Sequence, residues 1–186
     1  LGTDTGGSIR LPSAWTGVTG LRTTLHRVSG DGIVPLAWSL DTCGPMARTA
    51  EDVSIMLEAV SEVPYAHWSD DAAVDPASIT LGVPDLDDQS VSADVRQVVG
   101  RAVDDLAELG VRIEPVVLPD IQAAQSALMI VNFAEPPAVH ASWFATRRDA
   151  YGADVRATLM AGDCLAAWEY VQAQRARTRL RRDTLE

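Results

Sequence analysis

The sequence contains no lysine, because all fifteen of its basic residues are arginines. A lysine can be deprotonated by burial and then act as a base, whereas arginine keeps its charge under ordinary conditions. This stretch of chain therefore cannot supply a catalytic lysine. The basic residues are also outnumbered by 26 acidic ones, which gives a formal net charge of -11. An acidic balance without a long basic cluster argues against direct nucleic-acid binding.

Cysteine and long apolar runs are scarce as well. Cys43 and Cys164 are the only two cysteines and lie far apart, without a Cys or His companion at ligand spacing. They fit neither a disulfide scaffold nor a zinc site, so we expect no metal and a reducing, cytoplasmic location. The apolar runs fall far short of the about 20 residues that a membrane helix requires, so we expect no membrane span.

The remaining composition is that of a folded protein. The chain has 186 residues, of which 47% are hydrophobic, and this is enough apolar material for one globular core. It starts at Leu1 without a methionine and ends within a helical pattern. We therefore expect both ends to be internal to a longer protein.

The apolar periodicity predicts an α/β segment over residues 49–118. A first helix begins with Thr49 as its cap and runs through to Ser61. A strand over 79–83 precedes a helix that Ser92 begins and Gly110 stops, and a second strand covers 111–118. Strand, helix, strand is the order of an α/β layer, so we expect part of a mixed β-sheet covered by helices. Pro115 predicts a sheet edge or the end of a strand.

The flanking segments are less regular. Residues 1–48 predict loops and brief strands, including a β-prone run over 32–36, and residues 62–78 predict an exposed connection. Residues 121–186 predict helices, with a break at Pro136-Pro137 and a last helix from about Asp163. The arginines of that helix suggest either an acidic partner or, more commonly, a solvated face. These are Arg175, Arg177, Arg179, Arg181 and Arg182.

The clearest chemical motif lies in LGTDTGGSIRLPSAWTGVTG, residues 1–20. The two glycines before Ser8 tolerate positive φ, so several backbone N–H groups can point at one spot. We expect Ser8 to open a short helical turn that Pro12 ends or kinks, which would place its hydroxyl beside a positive backbone field. A Gly-Gly-Ser turn alone is weak evidence. A phosphate-binding P-loop is rejected, since Ile9 and Arg10 follow the serine and no lysine is present.

GTDTGGSIRLPSAWTGVTGL closely resembles the conserved block of the amidase signature family, G-[ST]-D-x-G-G-S-[IV]-R-x-P followed by G-x-x-G-[LF]. Residues 26–60 are similar to its next block, with Arg-Val-Ser, Ser-Leu-Asp, Gly-Pro and Ala-Arg-Thr-x-Glu-Asp. ITLGVP, ELGVRIEPVVLP and the spacing of Tyr170, Ala173 and Arg177 also look like the family. The resemblance implies that residues 1–186 form a partial amidase domain with a nucleophile loop (1–20), an α/β segment (49–118) and a helical segment (121–186).

The resemblance implies a Ser, cis-Ser, Lys mechanism that hydrolyses small-molecule amides without a metal or organic cofactor. Ser8 would be the acylated nucleophile. The backbone N–H groups of Thr5, Gly6, Gly7 and Ser8 would form the oxyanion hole. In the family the cis-serine and the lysine lie upstream of this block, which places them before Leu1.

Asp4 and Arg10 also match the family pattern. A buried pair of this kind suits structural support of the loop better than direct catalysis. The sequence departs from the family at Arg22-Thr23, where Lys-Pro is usual, and at Trp15-Thr16, where Phe-Cys is common. Those departures concern the subgroup. His26, His67 and His140 show no triad spacing, so we expect packing or surface roles for them.

Two alternatives to a hydrolase stay open. The A subunit of a tRNA-dependent amidotransferase resembles the family closely, although its second block usually contains Leu-Asp-Gln-Ile-Gly-Pro rather than SLDTCGP. The chain as given, without lysine or cis-serine, is also expected to be a catalytically inactive fragment. The sequence leaves the amide substrate and the oligomeric state open, a homodimer included.

Overall fold

A computed structural model describes residues 1–62, 74–85 and 91–185 of the chain. The chain divides into two compact units, which we call the first unit (Leu1–Trp68 with Gln122–Leu185) and the second unit (Ser69–Ile121). Helices and small sheets, both parallel and antiparallel, confirm the predicted α/β class. Most of the predicted connection over 62–78 lies outside the described residues.

Two short antiparallel ribbons organise the start of the first unit. Strand β1 (Gly2–Asp4) pairs with β3 (Thr42–Gly44), and β2 (Thr19–Gly20) pairs with β4 (Met46–Ala47). Gly44 permits this pairing, because a Cβ there would lie only 2.1 Å from the Leu21 carbonyl oxygen. The ribbons therefore bring the segment that follows β1 beside the segment that precedes β3.

Helix α1 (Arg10–Thr16) continues past Pro12 and ends at Gly17, which has a φ of 69°. Pro12 therefore does not end the turn, which was one of the two effects expected of it. Pro12 lies in the first turn of the helix, where most backbone N–H groups lack an intrahelical acceptor, so its missing N–H costs little.

Helix α2 (Ala50–Val60) confirms the first predicted helix. The Thr49 hydroxyl accepts the backbone N–H of Asp52 at 3.1 Å and so caps the helix.

The prediction of a brief strand in the β-prone run over 32–36 was wrong, since these residues form no strand. Asp41 instead accepts the backbone N–H of Leu36 at 2.8 Å and of Ala37 at 3.0 Å. These two backbone N–H groups thus donate to a side chain instead of to a neighbouring β-strand.

Three helices complete the first unit: α4 (Ile121–Arg147), α5 (Ala153–Asp163) and α6 (Ala167–Leu185), where α3 belongs to the second unit. The last helix begins at Ala167, so the predicted start near Asp163 was wrong. The Glu169 carboxylate accepts the backbone N–H of Ala166 at 2.8 Å, which favours a new helix start at that point.

Helix α4 also runs through Pro136 and Pro137, so the predicted break there was wrong. Pro137 cannot donate to the carbonyl of Phe133, and its ring crowds that turn. Helix α5 packs against this point through Gly162, where a Cβ would lie 2.0 Å from the Phe133 carbonyl oxygen. The contact with a neighbouring helix therefore holds α4 continuous despite the two prolines.

The core of the first unit joins the loop before β3 to helices α4 and α6. Its buried side chains are Ala37, Leu40, Ala127, Val131 and Ala173. Four of the arginines of α6 are exposed, as a solvated face predicts, whereas Arg177 is half buried. Among the described residues, none of the helices combines the length and the apolar character that crossing a membrane would need.

The second unit contains the predicted strand–helix–strand segment. Strand β5 (Thr80–Val83) pairs in parallel with β6 (Arg112–Pro115), and α3 (Ala93–Glu108) connects them. The Ser92 hydroxyl accepts the backbone N–H of Val95 at 3.4 Å, and Gly110 has a φ of 101° after the helix. The start signal, the stop signal and a strand end at Pro115 are confirmed, whereas the predicted extension of the second strand to residue 118 was wrong, since β6 ends at Pro115.

Candidate active site

Ser8 lies in a turn between β1 and α1 and is exposed to solvent. The residue before it, Gly7, has a φ of 140°, a conformation that L side chains rarely adopt. A Cβ on Gly7 would also lie 2.9 Å from Cδ1 of Leu11. Glycine at this position is therefore required both by the backbone conformation and by the space available. Ser8, the residue that follows, is exposed.

Asp4 is the residue around which this turn folds. Its side chain has no exposed surface, and its carboxylate accepts the backbone N–H groups of Gly7 at 2.8 Å, Ile9 at 3.2 Å and Arg10 at 3.4 Å. Three amides converge on one carboxylate, so the path of the chain on both sides of Ser8 is fixed. These contacts are the ones that a support role of Asp4 would need, and the role itself stays a prediction.

Two arginines complete the surroundings of Asp4. Arg10 donates from Nε and Nη2, both at 3.0 Å, and Arg22 donates from Nη1 at 2.9 Å. Arg22 also donates to the carbonyl oxygens of Asp4 and Leu40. Burial alone would raise the pKa of Asp4, but the hydrogen bonds from Arg10, Ile9 and Arg22 hold that pKa well below its usual range. Asp4 is therefore ionised at neutral pH.

Sequence reasoning missed Arg22, which it counted only as a departure from the family. Its guanidinium reaches Asp4 because the pairing of β2 with β4 turns the chain back beside β1, and the hydrogen bond from Leu21 N–H to the Pro45 carbonyl extends that pairing. A pairing between residues so distant in sequence leaves no local signal. The only available hint was that a buried aspartate needs positive partners.

The four predicted oxyanion donors differ in their hydrogen bonding. The N–H of Gly7 donates to Oδ1 of Asp4. For the N–H groups of Thr5, Gly6 and Ser8, the described part of the chain provides no acceptor. Gly6 is exposed, and a Cβ placed on it would lie 3.7 Å from Cδ2 of Leu128 on α4. Helix α4 thus lies beside the predicted oxyanion-binding stretch.

Thr5 has a second contact that the sequence did not predict. Its hydroxyl donates to Oδ1 of Asp41, while Oδ2 of Asp41 accepts two backbone N–H groups of the preceding turn. The Ser-Leu-Asp block in which Asp41 stands was noted as family-like but received no role. The structure brings it into contact with the nucleophile loop.

Two of the three histidines, His26 and His140, are among the described residues. Nδ1 of His140 lies 3.0 Å from the Tyr151 hydroxyl, and its ring packs against Trp143 and Tyr151. His26 lines a cavity of about 230 Å³ that also borders Asp41. His67 lies outside the described residues. In the described ranges, no three His, Cys, Asp or Glu side chains are grouped as a metal site would need.

Comparison with known sequences also identifies amidases as relatives of this chain. The profile of the family described as Amidase matches residues 1–186. An amidase from Pseudomonas putida is 34% identical over 197 residues, which cover 100% of this chain and 42% of that protein. The A subunit of the glutamyl-tRNA(Gln) amidotransferase from Symbiobacterium thermophilum is 33% identical and is matched over 98% of this chain and 45% of its own length. The chain thus spans less than half the length of these relatives.

Solved structures of amidases have a similar fold. The crystal structure of an amidase superposes with a TM-score of 0.84 at 29% identity, covering 97% of this chain and 40% of that chain. A peptide amidase bound to the competitive inhibitor chymostatin superposes with a TM-score of 0.74 at 26% identity, covering 96% of this chain and 44% of its own. With the profile match over its whole length and these relatives, the chain belongs to the Amidase family.

Proposed function

We propose that the protein to which this chain belongs hydrolyses the C–N bond of small-molecule amides through an acyl-enzyme on Ser8. The observation that carries the proposal is the exposed position of Ser8 in a turn whose backbone N–H groups donate to Asp4. A nucleophile needs this kind of exposure and rigidity, because the attacking oxygen must meet the substrate carbonyl in one geometry.

The amides of Thr5, Gly6 and Ser8 are proposed to bind the oxyanion that forms in this attack. Fixed N–H groups stabilise the developing negative charge without reorganising during the reaction. The Gly7 N–H, whose acceptor is Asp4, acts instead on the shape of the turn. Asp4 and Arg10 are proposed as support for the loop, and Arg22 joins them in this role.

The base of the reaction is proposed to be a lysine outside these 186 residues, because the chain has no lysine. Triad residues act as a unit, so the isolated chain is proposed to be inactive, with the longer protein as the active species. Comparable turnover by both would show that the chain contains an unrecognised base. The cytoplasmic location stays a prediction.

The test is Ser8→Ala in the full-length protein, assayed with simple carboxamides and peptide amides. Peptide amides are included because one structural relative is a peptide amidase. We expect kcat to fall by about 10⁴-fold or more, with the unfolding temperature unchanged. Ser142→Ala is the matched control, since Ser142 is an exposed residue of α4, and it should retain wild-type turnover. Amide hydrolysis at the wild-type rate by the Ser8 variant would end the proposal.

A second candidate is the A subunit of an amidotransferase, which passes ammonia to a mischarged aminoacyl-tRNA held by partner subunits. The relative from Symbiobacterium thermophilum, matched over 98% of this chain, supports it. Ser8 would then attack the amide that donates the ammonia, and the ammonia would leave as the C–N bond is cleaved. Purification of the full-length protein from its native cells distinguishes the two, because an amidotransferase component comes with tightly bound partners and loses its transfer activity without them.

A further inference from the structure

The Asp41 carboxylate joins the nucleophile loop to the turn at residues 36–41. One oxygen accepts the hydroxyl of Thr5, a residue only 7% exposed. The other oxygen accepts the N–H groups of Leu36 at 2.8 Å and Ala37 at 3.0 Å. Both carboxylate oxygens are therefore engaged, so Asp41 can move only if the turn or the loop moves with it.

Helix α4 holds the same turn through a buried glutamate. Glu135 is 1% exposed, and its Oε2 accepts the backbone N–H of Ser39 at 3.0 Å. Its Oε1 accepts the Tyr170 hydroxyl of α6 at 2.9 Å. A buried carboxylate with both oxygens hydrogen-bonded is costly to displace, because any shift leaves a charge without its donors.

Helix α6 holds the turn from a second direction. Nη1 of Arg177 donates to Oγ of Ser39 at 3.1 Å, and Nη2 donates to the Ser39 carbonyl oxygen. On either side of Ser39, the side chains of Ala37 and Leu40 belong to the buried core. The turn is thus fixed by polar contacts from two helices and by apolar packing at once.

We propose that Asp41 is a positioning residue that fixes the oxyanion-binding amide of Thr5. The Thr5 N–H belongs to the peptide unit between Asp4 and Thr5. Arg22 and the amides of the loop hold the Asp4 side of this unit, and the hydroxyl bond to Asp41 holds the Thr5 side. A misplacement of about 1 Å in such a donor can cost about 10²-fold in rate. The inference rests on the amidase function proposed above.

The experiment uses the full-length protein and measures kcat and KM separately. Thr5→Val keeps the shape of the side chain but removes the hydroxyl, so kcat should fall by about 10 to 100-fold. KM should change by less than about threefold, since the contact acts on the transition state rather than on substrate binding. Thr5→Ser restores the hydroxyl and should recover most of the lost kcat. Thr158→Val, at an exposed position of α5, is the matched control.

Asp41→Ala tests the other partner. It removes the acceptor of the Thr5 hydroxyl and of the two N–H groups of the turn, so kcat should again fall with little change in KM. Combining Asp41→Ala with Thr5→Val should cost little more than Asp41→Ala alone, because the Thr5 hydroxyl has already lost its acceptor. Fully additive losses would overturn the proposal.

Two further outcomes separate this inference from the proposed function. Wild-type kcat in Thr5→Val, or equal losses in Thr5→Val and Thr5→Ser, would overturn the positioning role while an inactive Ser8→Ala leaves the amidase proposal standing. An active Ser8→Ala would overturn the amidase proposal itself. Circular dichroism at the assay temperature confirms that each variant is folded, and Thr5→Ser supplies the comparison should Thr5→Val be unstable.

Discussion

The nucleophile segment and the strand–helix–strand segment of the second unit obtain their conformations in different ways. In the first, a buried carboxylate collects three backbone amides and two guanidinium groups, and these contacts fix an irregular path. In the second, a serine cap, a glycine stop and a parallel ladder are enough, and none of the residues of α3 is buried. The irregular loop depends on side-chain hydrogen bonds, including one from the distant Arg22, whereas the regular elements follow from local backbone preferences.

The largest effect that tests this comparison is expected from Asp4→Asn. The amide keeps one acceptor oxygen and places an NH₂ group against donors, so the amides and arginines around it lose partners inside the protein. We expect the free energy of unfolding to fall by about 3 kcal/mol, as for other broken buried pairs. Urea denaturation of wild type and variant measures it. Asp149→Asn, at an exposed carboxylate, should leave the midpoint unchanged.

The next prediction concerns the pH dependence of the same contact. The folded-state pKa of Asp4 lies below its unfolded value of about 3.9, so its contribution to stability is complete above about pH 4 and is lost as the pH falls below that. The stability difference between wild type and Asp4→Asn should therefore be constant from pH 7 to about pH 5 and shrink at more acidic pH. Urea midpoints at each pH give the difference. A gap that stays constant down to pH 2 would contradict the ionised, hydrogen-bonded state of Asp4.

The smallest effects should come from two glycines of the second unit, and they should have opposite signs. Gly100 lies inside α3 with open space around a Cβ, so Gly100→Ala should stabilise the protein by about 0.5–1 kcal/mol. Gly110 has a φ of 101°, so Gly110→Ala should destabilise it by about 1 kcal/mol. Hydrogen exchange of the α3 amides measures both. Effects of the same sign would show that more than local backbone preference orders this segment.

The contrast also explains how much the sequence could predict. The second unit was predicted closely, because Ser92, Gly110 and Pro115 mark element ends through their own backbone preferences. The helix over 50–60 was predicted for the same reason, from its threonine cap. Where tertiary contacts override local preference, prediction failed, as in helix α4, which continues through its two prolines because α5 packs against them.

In the candidate site, resemblance to a family supplied what local rules could not. The motif placed Ser8, Asp4 and Arg10 in one loop, and the structure brings Asp4 and Arg10 into contact beside Ser8. Arg22 and Asp41 were missed, because each reaches the loop across a strand pairing or a turn that sequence spacing does not reveal. The catalytic roles of Ser8 and of the oxyanion amides stay predictions until the variants are assayed.

The two prolines of α4 have a mechanical consequence. Because Pro136 and Pro137 have no N–H group, the middle of the helix lacks two of its regular hydrogen bonds. Bending at this point would therefore break fewer hydrogen bonds than bending elsewhere along the helix. One half of the helix carries Leu128, which lies beside Gly6, and the other carries the aromatic rings around His140. Gly162 of α5 packs against the Phe133 carbonyl at this point, so the alignment of the two halves depends on a contact between helices rather than on hydrogen bonds within one of them.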